Sequence, residues 1–130
     1  MIEISIDGRM TSHPLLLAPG AKISGAFVVD HDPQGVEVSL VWYTEGKGTE
    51  HLEVHWLREY LGDELERVDT KRRGRFEASI PTAPLSYEGT LIRICWVLRV
   101  RAFARGGGDE STDLSLSVGA VAPSDQWVPR

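Results

Sequence analysis

Two histidines and a glutamate in the segment His51-Leu52-Glu53-Val54-His55 are the side chains of this sequence best suited to a metal ion. On a β-strand, residues two apart share a face and lie about 6.6–6.8 Å apart along it. His51, Glu53 and His55 would therefore point the same way, with Leu52, Val54 and Trp56 turned inward. Imidazole and carboxylate suit zinc, but three ligands in line on one strand fit a tetrahedral site poorly without a ligand from elsewhere. A solvated polar face is the alternative interpretation.

Five arginines form two groups with the chemistry to bind an anion. Arg72, Arg73 and Arg75 crowd a turn, while Arg99 and Arg101 share one face of a later apolar segment. Guanidinium groups suit phosphate or an acidic peptide. The alternative is a solvated basic patch whose arginines pair with some of the 19 acidic residues of the chain.

The remaining reactive residue types favour no catalytic centre. Asp30, His31 and Asp32 sit in a turn, where Asp side chains usually bond to their own backbone rather than to calcium. Cys95 has no neighbouring histidine in sequence, so it reads as an inert structural thiol. The chain contains no Gly-x-Ser-x-Gly elbow and no phosphate-binding loop. The sequence therefore predicts a protein that is not an enzyme, with no catalytic residue and no cofactor.

Composition limits the class of protein that must position these residues. At 130 residues with 42% hydrophobic content, the chain suits one domain spanning residues 1–130. A formal net charge of −5 gives no reason to expect nucleic-acid binding. No segment approaches the roughly 20 apolar residues of a membrane span, and no signal peptide is recognisable. A single cysteine excludes an intrachain disulfide. These features predict a cytoplasmic protein without a membrane span.

Apolar residues recur at a period of two almost throughout the chain, which is typical of strands with one buried face. Recurrent turn signals separate the alternating segments. The strongest segment runs from Leu91 to Ala104, and its length and composition favour the centre of a sheet. The expected inward residues are Ile2, Ile4, Ile6, Ile23, Phe27, Val29, Val36, Val38, Leu40, Trp42, Phe76, Ala78, Ile80, Ile92, Ile94, Trp96, Leu98, Val100, Ala102, Leu114, Leu116 and Val118.

One region departs from this alternation. Leu57, Leu61, Leu65 and Val68 recur at helical spacing through an acidic stretch, although Gly62 weakens a helix by about 1 kcal/mol relative to alanine. The pattern predicts a strand over residues 49–56 and an irregular or briefly helical segment over 57–68.

The order of these segments resembles the arrestin-fold domains, including sporulation-control-like members. Pro19-Gly20-Ala21-Lys22-Ile23-Ser24-Gly25 is similar to their Pro-Gly turn and the strand with a second glycine that follows it. The segment from Phe76 through Pro81, Pro84 and Gly89 is similar to their strand and proline-rich bridge, and Ile92 to Val100 to the long strand after it. The resemblance covers roughly residues 15 to 118. It implies an all-β, immunoglobulin-like sandwich of about seven strands.

The resemblance also implies a scaffolding or adaptor role, which is an argument by analogy. The better-known members carry two sandwiches in tandem, so a single one suggests a homodimer. We expect a non-catalytic interaction module that binds a protein of unknown identity through a sheet edge or a concave face. The alternative is a metal- or carbohydrate-binding module that uses His51, Glu53 and His55. Stoichiometric zinc that is lost when His51 and His55 are changed to alanine would favour the alternative. Trp127, near the end of the chain, is a further candidate for contact with a partner.

Overall fold

Two facing β-sheets form the molecule in a computed structural model that describes residues 1–7, 9–10, 15–46, 51–82, 87–88 and 92–119. Of the described residues, seven strands have five or more residues and four are shorter. The strands are β1 Ile2–Ile6, β2 Arg9–Met10, β3 Leu15–Leu17, β4 Lys22–Val29, β5 Gly35–Gly46, β6 Leu52–Leu61, β7 Glu66–Val68, β8 Lys71–Ser79, β9 Tyr87–Glu88, β10 Ile92–Phe103 and β11 Asp109–Val118.

The first sheet has the order β2-β1-β4-β8-β7, and all its pairs are antiparallel. The second sheet has the order β3-β11-β10-β5-β6, with β9 also paired to β10. Its pairs are antiparallel except β3 with β11. The long strand β10 therefore lies in the middle of the second sheet, as the sequence predicts, and β6 lies at one edge.

The core lies between the two sheets because each long strand turns its alternate apolar residues inward. The inward residues of β1, β4 and β8 in the first sheet meet those of β5, β10 and β11 in the second. Trp96 is the largest fully buried side chain among the described residues, and Phe27 of the other sheet is fully buried as well. The β-sandwich predicted from the alternation is confirmed, with seven principal strands.

The prediction for residues 57–68 is wrong at both ends, which are strands, and holds only for the short helical turn between them. The strand β6 continues to Leu61, and a single 3-10 turn, Gly62–Glu64, precedes β7. Only Leu65 of the four residues at helical spacing is buried, since Leu57, Leu61 and Val68 are exposed. The proline-rich bridge lies partly outside the described residues, and Trp127 lies wholly outside them.

Candidate interaction surface

The structure brings two of the three predicted metal ligands together. His51 Nε2 lies 3.2 Å from Glu53 Oε2, and both side chains are exposed. The ring of His51 lies on Trp42, with 4.9 Å between the ring centres. The ring of His55 instead approaches the edge of Trp96 at 6.1 Å. Among the described residues, His55 does not join His51 and Glu53 in a set of ligand atoms within 4.8 Å of one another.

A different cluster does bring three ligand atoms together. Asp30, His31 and Glu110 place one ligand atom each within 4.8 Å of one another. The ammonium of Met1 already occupies this cluster, at 2.7 Å from Asp30 Oδ1 and 2.8 Å from Glu110 Oε2. The chain itself therefore supplies the positive charge that the two carboxylates need. The cluster joins the start of β1 to the end of β4 and to the start of β11.

These ion pairs predict opposite pKa changes at Met1 and Asp30. Hydrogen bonds to Asp30 and then to Glu110 raise the pKa of the Met1 amino group above 8.0, and the bond from that group lowers the pKa of Asp30 below 3.8. The lowered pKa of Asp30 stabilises the fold at pH values above 3.8, and this stabilisation is lost as the pH falls through the pKa that Asp30 has in the folded protein. The raised pKa of the Met1 amino group stabilises the fold at pH values below 8.0, and this stabilisation is lost as the pH rises through the pKa that the group has in the folded protein.

In protein that retains Met1, Asp30→Asn is expected to return the pKa of the amino group toward 8.0, with Glu110 still holding part of the rise. An NMR titration of the Met1 amino group measures the change. Asp63→Asn is the matched control, because Asp63 lies in the exposed turn after β6 and should leave the titration unaltered. An amino pKa that does not respond to Asp30→Asn would contradict the ion pair.

The five predicted anion-binding arginines lie on both sheets. Arg99 donates to Asp113 at 2.8 and 3.1 Å, and Arg101 to Asp109 at 2.6 Å, on the outer face of the second sheet. The hydrogen bond to Asp113 raises the pKa of Arg99. In the first sheet, Arg75 is exposed. Arg73 there pairs with Glu66, and Arg72 with Asp32 at 3.1 Å.

Arg72 lies on the inward side of β8, opposite Val29, whereas Arg73 and Arg75 lie on the outer face of the first sheet. That face points away from the outer face that carries Arg99 and Arg101, so these two pairs cannot act together. Four of the five are held by carboxylates of this chain. Anion binding by either group of arginines stays a prediction.

Cys95 lies on the outer face of the second sheet, where its cross-strand partner is Tyr43. Burial first and the neighbouring thiol second raise the pKa of Tyr43 above 10.0. The raised pKa makes the phenolate less available as a base for the thiol, and nucleophilic catalysis needs such a base.

A β-bulge in the edge strand β6 changes which side chains face outward. Leu40 pairs with Trp56, but the next residue of β5, Val41, pairs with Val54, so His55 is the inserted residue. Trp56 packs toward Phe76 of the first sheet, and His55 toward Trp96, so both rings point inward. Two successive inward residues shift the alternation of the strand by one.

The expectation that Leu52 and Val54 point inward is wrong because of this shift. Both side chains lie on the outer face of the second sheet, over Val41 and Tyr43 of the neighbouring strand. Leu57 and Leu61 point outward on the other side of the bulge. We call these four residues the β6 apolar face, and their side chains are 44% to 66% exposed. They are four of the seven large hydrophobic residues that are exposed among the described residues.

The outer edge of β6 also carries backbone groups that no other described strand pairs with. The carbonyl of His51 accepts from the amide of Thr44 at 2.8 Å, so the backbone groups of the inward residues point to β5. The outward residues alternate with them and direct their amides and carbonyls to the open side. The amide of Leu61 confirms this direction, since it donates to Glu64 Oε1 at 2.8 Å. Within the described residues, no strand pairs with this side of β6.

The sequence contains a signal for this surface that helical spacing conceals. Leu52 and Val54 are two residues apart and Leu57 and Leu61 are four apart, so each pair shares one face of a strand, but the two pairs are out of phase by one. A slip of one residue between two alternating runs is typical of a bulged strand.

No helix in the described part of the chain is long and apolar enough to cross a membrane.

Comparison with known proteins supports the fold. No protein-family model matches the chain, and no curated protein matches it in sequence. Among solved structures, it is similar to Spo0M, a sporulation control protein from Bacillus subtilis, with a TM-score of 0.61 and 12% sequence identity. The match covers 92% of this chain and 49% of Spo0M, so the chain spans about half the length of that protein. The arrestin-like β-sandwich predicted from the sequence agrees with this neighbour.

Proposed function

We propose that the chain is a non-catalytic protein-interaction module of arrestin-like type, in which residues 1–130 form one sandwich. Its partner docks on the β6 apolar face and on the free edge of the same strand. The observation that carries the proposal is the concentration of exposed leucine and valine on one face of an edge strand. Natural edge strands are usually short, charged or covered, because a long apolar edge pairs readily with another chain.

Two sources of binding energy coincide at β6. Apolar side chains contribute about 25 cal/mol for each Å² removed from water. The unpaired amides and carbonyls of the outward residues accept an added strand, and main-chain bonds of this kind give affinity in strand addition. Val41 and Val97 are almost fully buried on the same outer face, so the β6 apolar face borders a packed apolar layer rather than a polar one.

Site-specific photo-crosslinking tests this proposal in the native host. A photoreactive phenylalanine analogue is placed at Leu52, whose side chain is exposed, so that the replacement should change the stability of the fold little. The matched control places it at Ser24, which is exposed on the outer face of β4 in the first sheet. We expect a discrete protein adduct from position 52 and none from position 24. No adduct at position 52, or equal adducts at both positions, would overturn the proposal.

A further inference from the structure

The edge of β6 is complementary to itself. Leu52, Val54, Leu57 and Glu59 are the four outward residues of β6 that precede Leu61. From the geometry we infer that the partner of β6 is a second copy of this chain, paired antiparallel about a two-fold axis between His55 and Trp56. The inference rests on the proposed function and names the partner that this function requires.

The bulge permits this axis. Residues opposite each other in an antiparallel pair point to the same face. A regular strand therefore pairs with its own copy only about an axis that passes through a residue, because adjacent residues point to opposite faces. His55 and Trp56 are adjacent and both point inward. An axis between them keeps inward residues opposite inward residues along the whole of β6, whereas an axis elsewhere leaves the bulge out of phase.

The backbone groups fit the same axis. It places Val54 opposite Leu57 of the second copy and Leu52 opposite Glu59 of the second copy, and symmetry repeats each pair. All four residues direct their amides and carbonyls to the open side, so each pair can exchange hydrogen bonds. The next open-side amide, that of Leu61, already donates to Glu64. The pairing therefore uses the four open positions and ends where the chain has capped its own strand.

Two kinds of side-chain pair are complementary in the same register. Val54 and Leu57 form an apolar pair at the centre of the outer face. On the inner face, Glu53 comes opposite Arg58 of the second copy, and the pair occurs twice. Glu53 is exposed beside His51, and the guanidinium of Arg58 lies 4.6 Å from the centre of the Tyr60 ring. Opposite charges across a strand pair are stabilising and like charges are destabilising.

Charge exchange at this pair tests both the dimer and its register. Sedimentation velocity of the full chain at micromolar concentration is expected to show a dimer. Glu53→Arg and Arg58→Glu, made singly, each place like charges opposite each other twice and should weaken the dimer by about tenfold or more. The double variant restores opposite charges and should recover the dimer. Glu77→Arg is the matched control, because Glu77 is exposed on the outer face of β8, and it should leave the dimer unchanged.

The outcomes separate this inference from the proposed function. A monomer at all concentrations overturns the second copy as partner. If position 52 then crosslinks a different protein, the proposed function stands with another partner, and if it crosslinks none, both fail. If the single charge variants dimerise as strongly as the parent protein, the proposed register is overturned. Circular dichroism of each variant confirms that a lost dimer is not an unfolded chain.

Discussion

Trp96→Ala is expected to lower the free energy of unfolding by about 3–5 kcal/mol, which is the usual cost of deleting a large aromatic side chain from a core. Trp96 is 1% exposed and lies in the middle strand of the second sheet. Its neighbours on the adjacent strands are Trp42 and Leu116, so alanine would leave a cavity that strands fixed on both sides cannot close. A domain of this size is stable by only about 5–15 kcal/mol, so the variant should approach the limit of folding.

Chemical denaturation followed by far-UV circular dichroism measures this loss without relying on tryptophan fluorescence. Trp42→Ala is the matched control, because the same atoms are removed from a side chain that is only partly buried against the core. We expect a distinctly smaller loss for Trp42→Ala. A loss below about 1 kcal/mol for Trp96→Ala would mean that the inward and outward faces of β10 are inverted.

Gly25→Ala is expected to destabilise the first sheet by about 1–3 kcal/mol, the usual cost of overpacking a core. Gly25 lies in β4, between β1 and β8. A Cβ atom there would come 2.7 Å from the carbonyl oxygen of Ser5 and 2.5 Å from Cζ of Phe76. The carbonyl belongs to a paired neighbouring strand, so relief requires movement of the backbone and not only of a side chain.

Gly106→Ala is the control for Gly25→Ala. A Cβ atom at Gly106 meets no atom within 4 Å, and its backbone does not need the left-handed conformation. We expect this variant to unfold within about 0.5 kcal/mol of the parent protein, as surface changes usually do. Equal stability of the two variants in thermal denaturation would show that the space at Gly25 is not as tight as the distances indicate.

Gly25 also shows how far a family resemblance reaches. The second glycine of the Pro19 to Gly25 segment supports an arrestin-like fold by pattern alone. The structure adds the reason, which is the close approach of Phe76 and of the β1 backbone. Alternation likewise predicts the inward faces of β4, β8, β10 and β11, because these strands are paired on both sides or regular along their length.

The edge strand β6 could not be predicted in the same way. Its register depends on His55, a residue inserted opposite β5, and the one-residue slip of the apolar positions that accompanies this insertion also fits the spacing of a helix. In the acidic stretch after Leu57, a single helix with one apolar stripe therefore fitted the pattern more simply than two strand segments of opposite phase. Tertiary pairing overrode that local pattern.

The partners of the candidate metal and anion residues could not be predicted for a related reason. Spacing along one strand predicts which residues share a face, but not which partners the neighbouring strands supply. Asp109 and Asp113 lie on β11 and meet Arg101 and Arg99 of β10 only because the two strands are adjacent. Met1, Asp30 and Glu110 belong to three separate parts of the chain, and no sequence motif would connect residues this far apart.

The two borders of the second sheet have unequal capacity to recruit further chains. β3 is three residues long within the described residues, so it offers few groups to an incoming strand, whereas β6 has ten residues. Among the described strands of this sheet, growth can therefore proceed from one border, and the symmetric contact proposed above would occupy that border on both molecules. Such an assembly would end at two members. Fibrillar polymerisation, the usual hazard of an apolar border, would find no second long border among these described strands from which to continue.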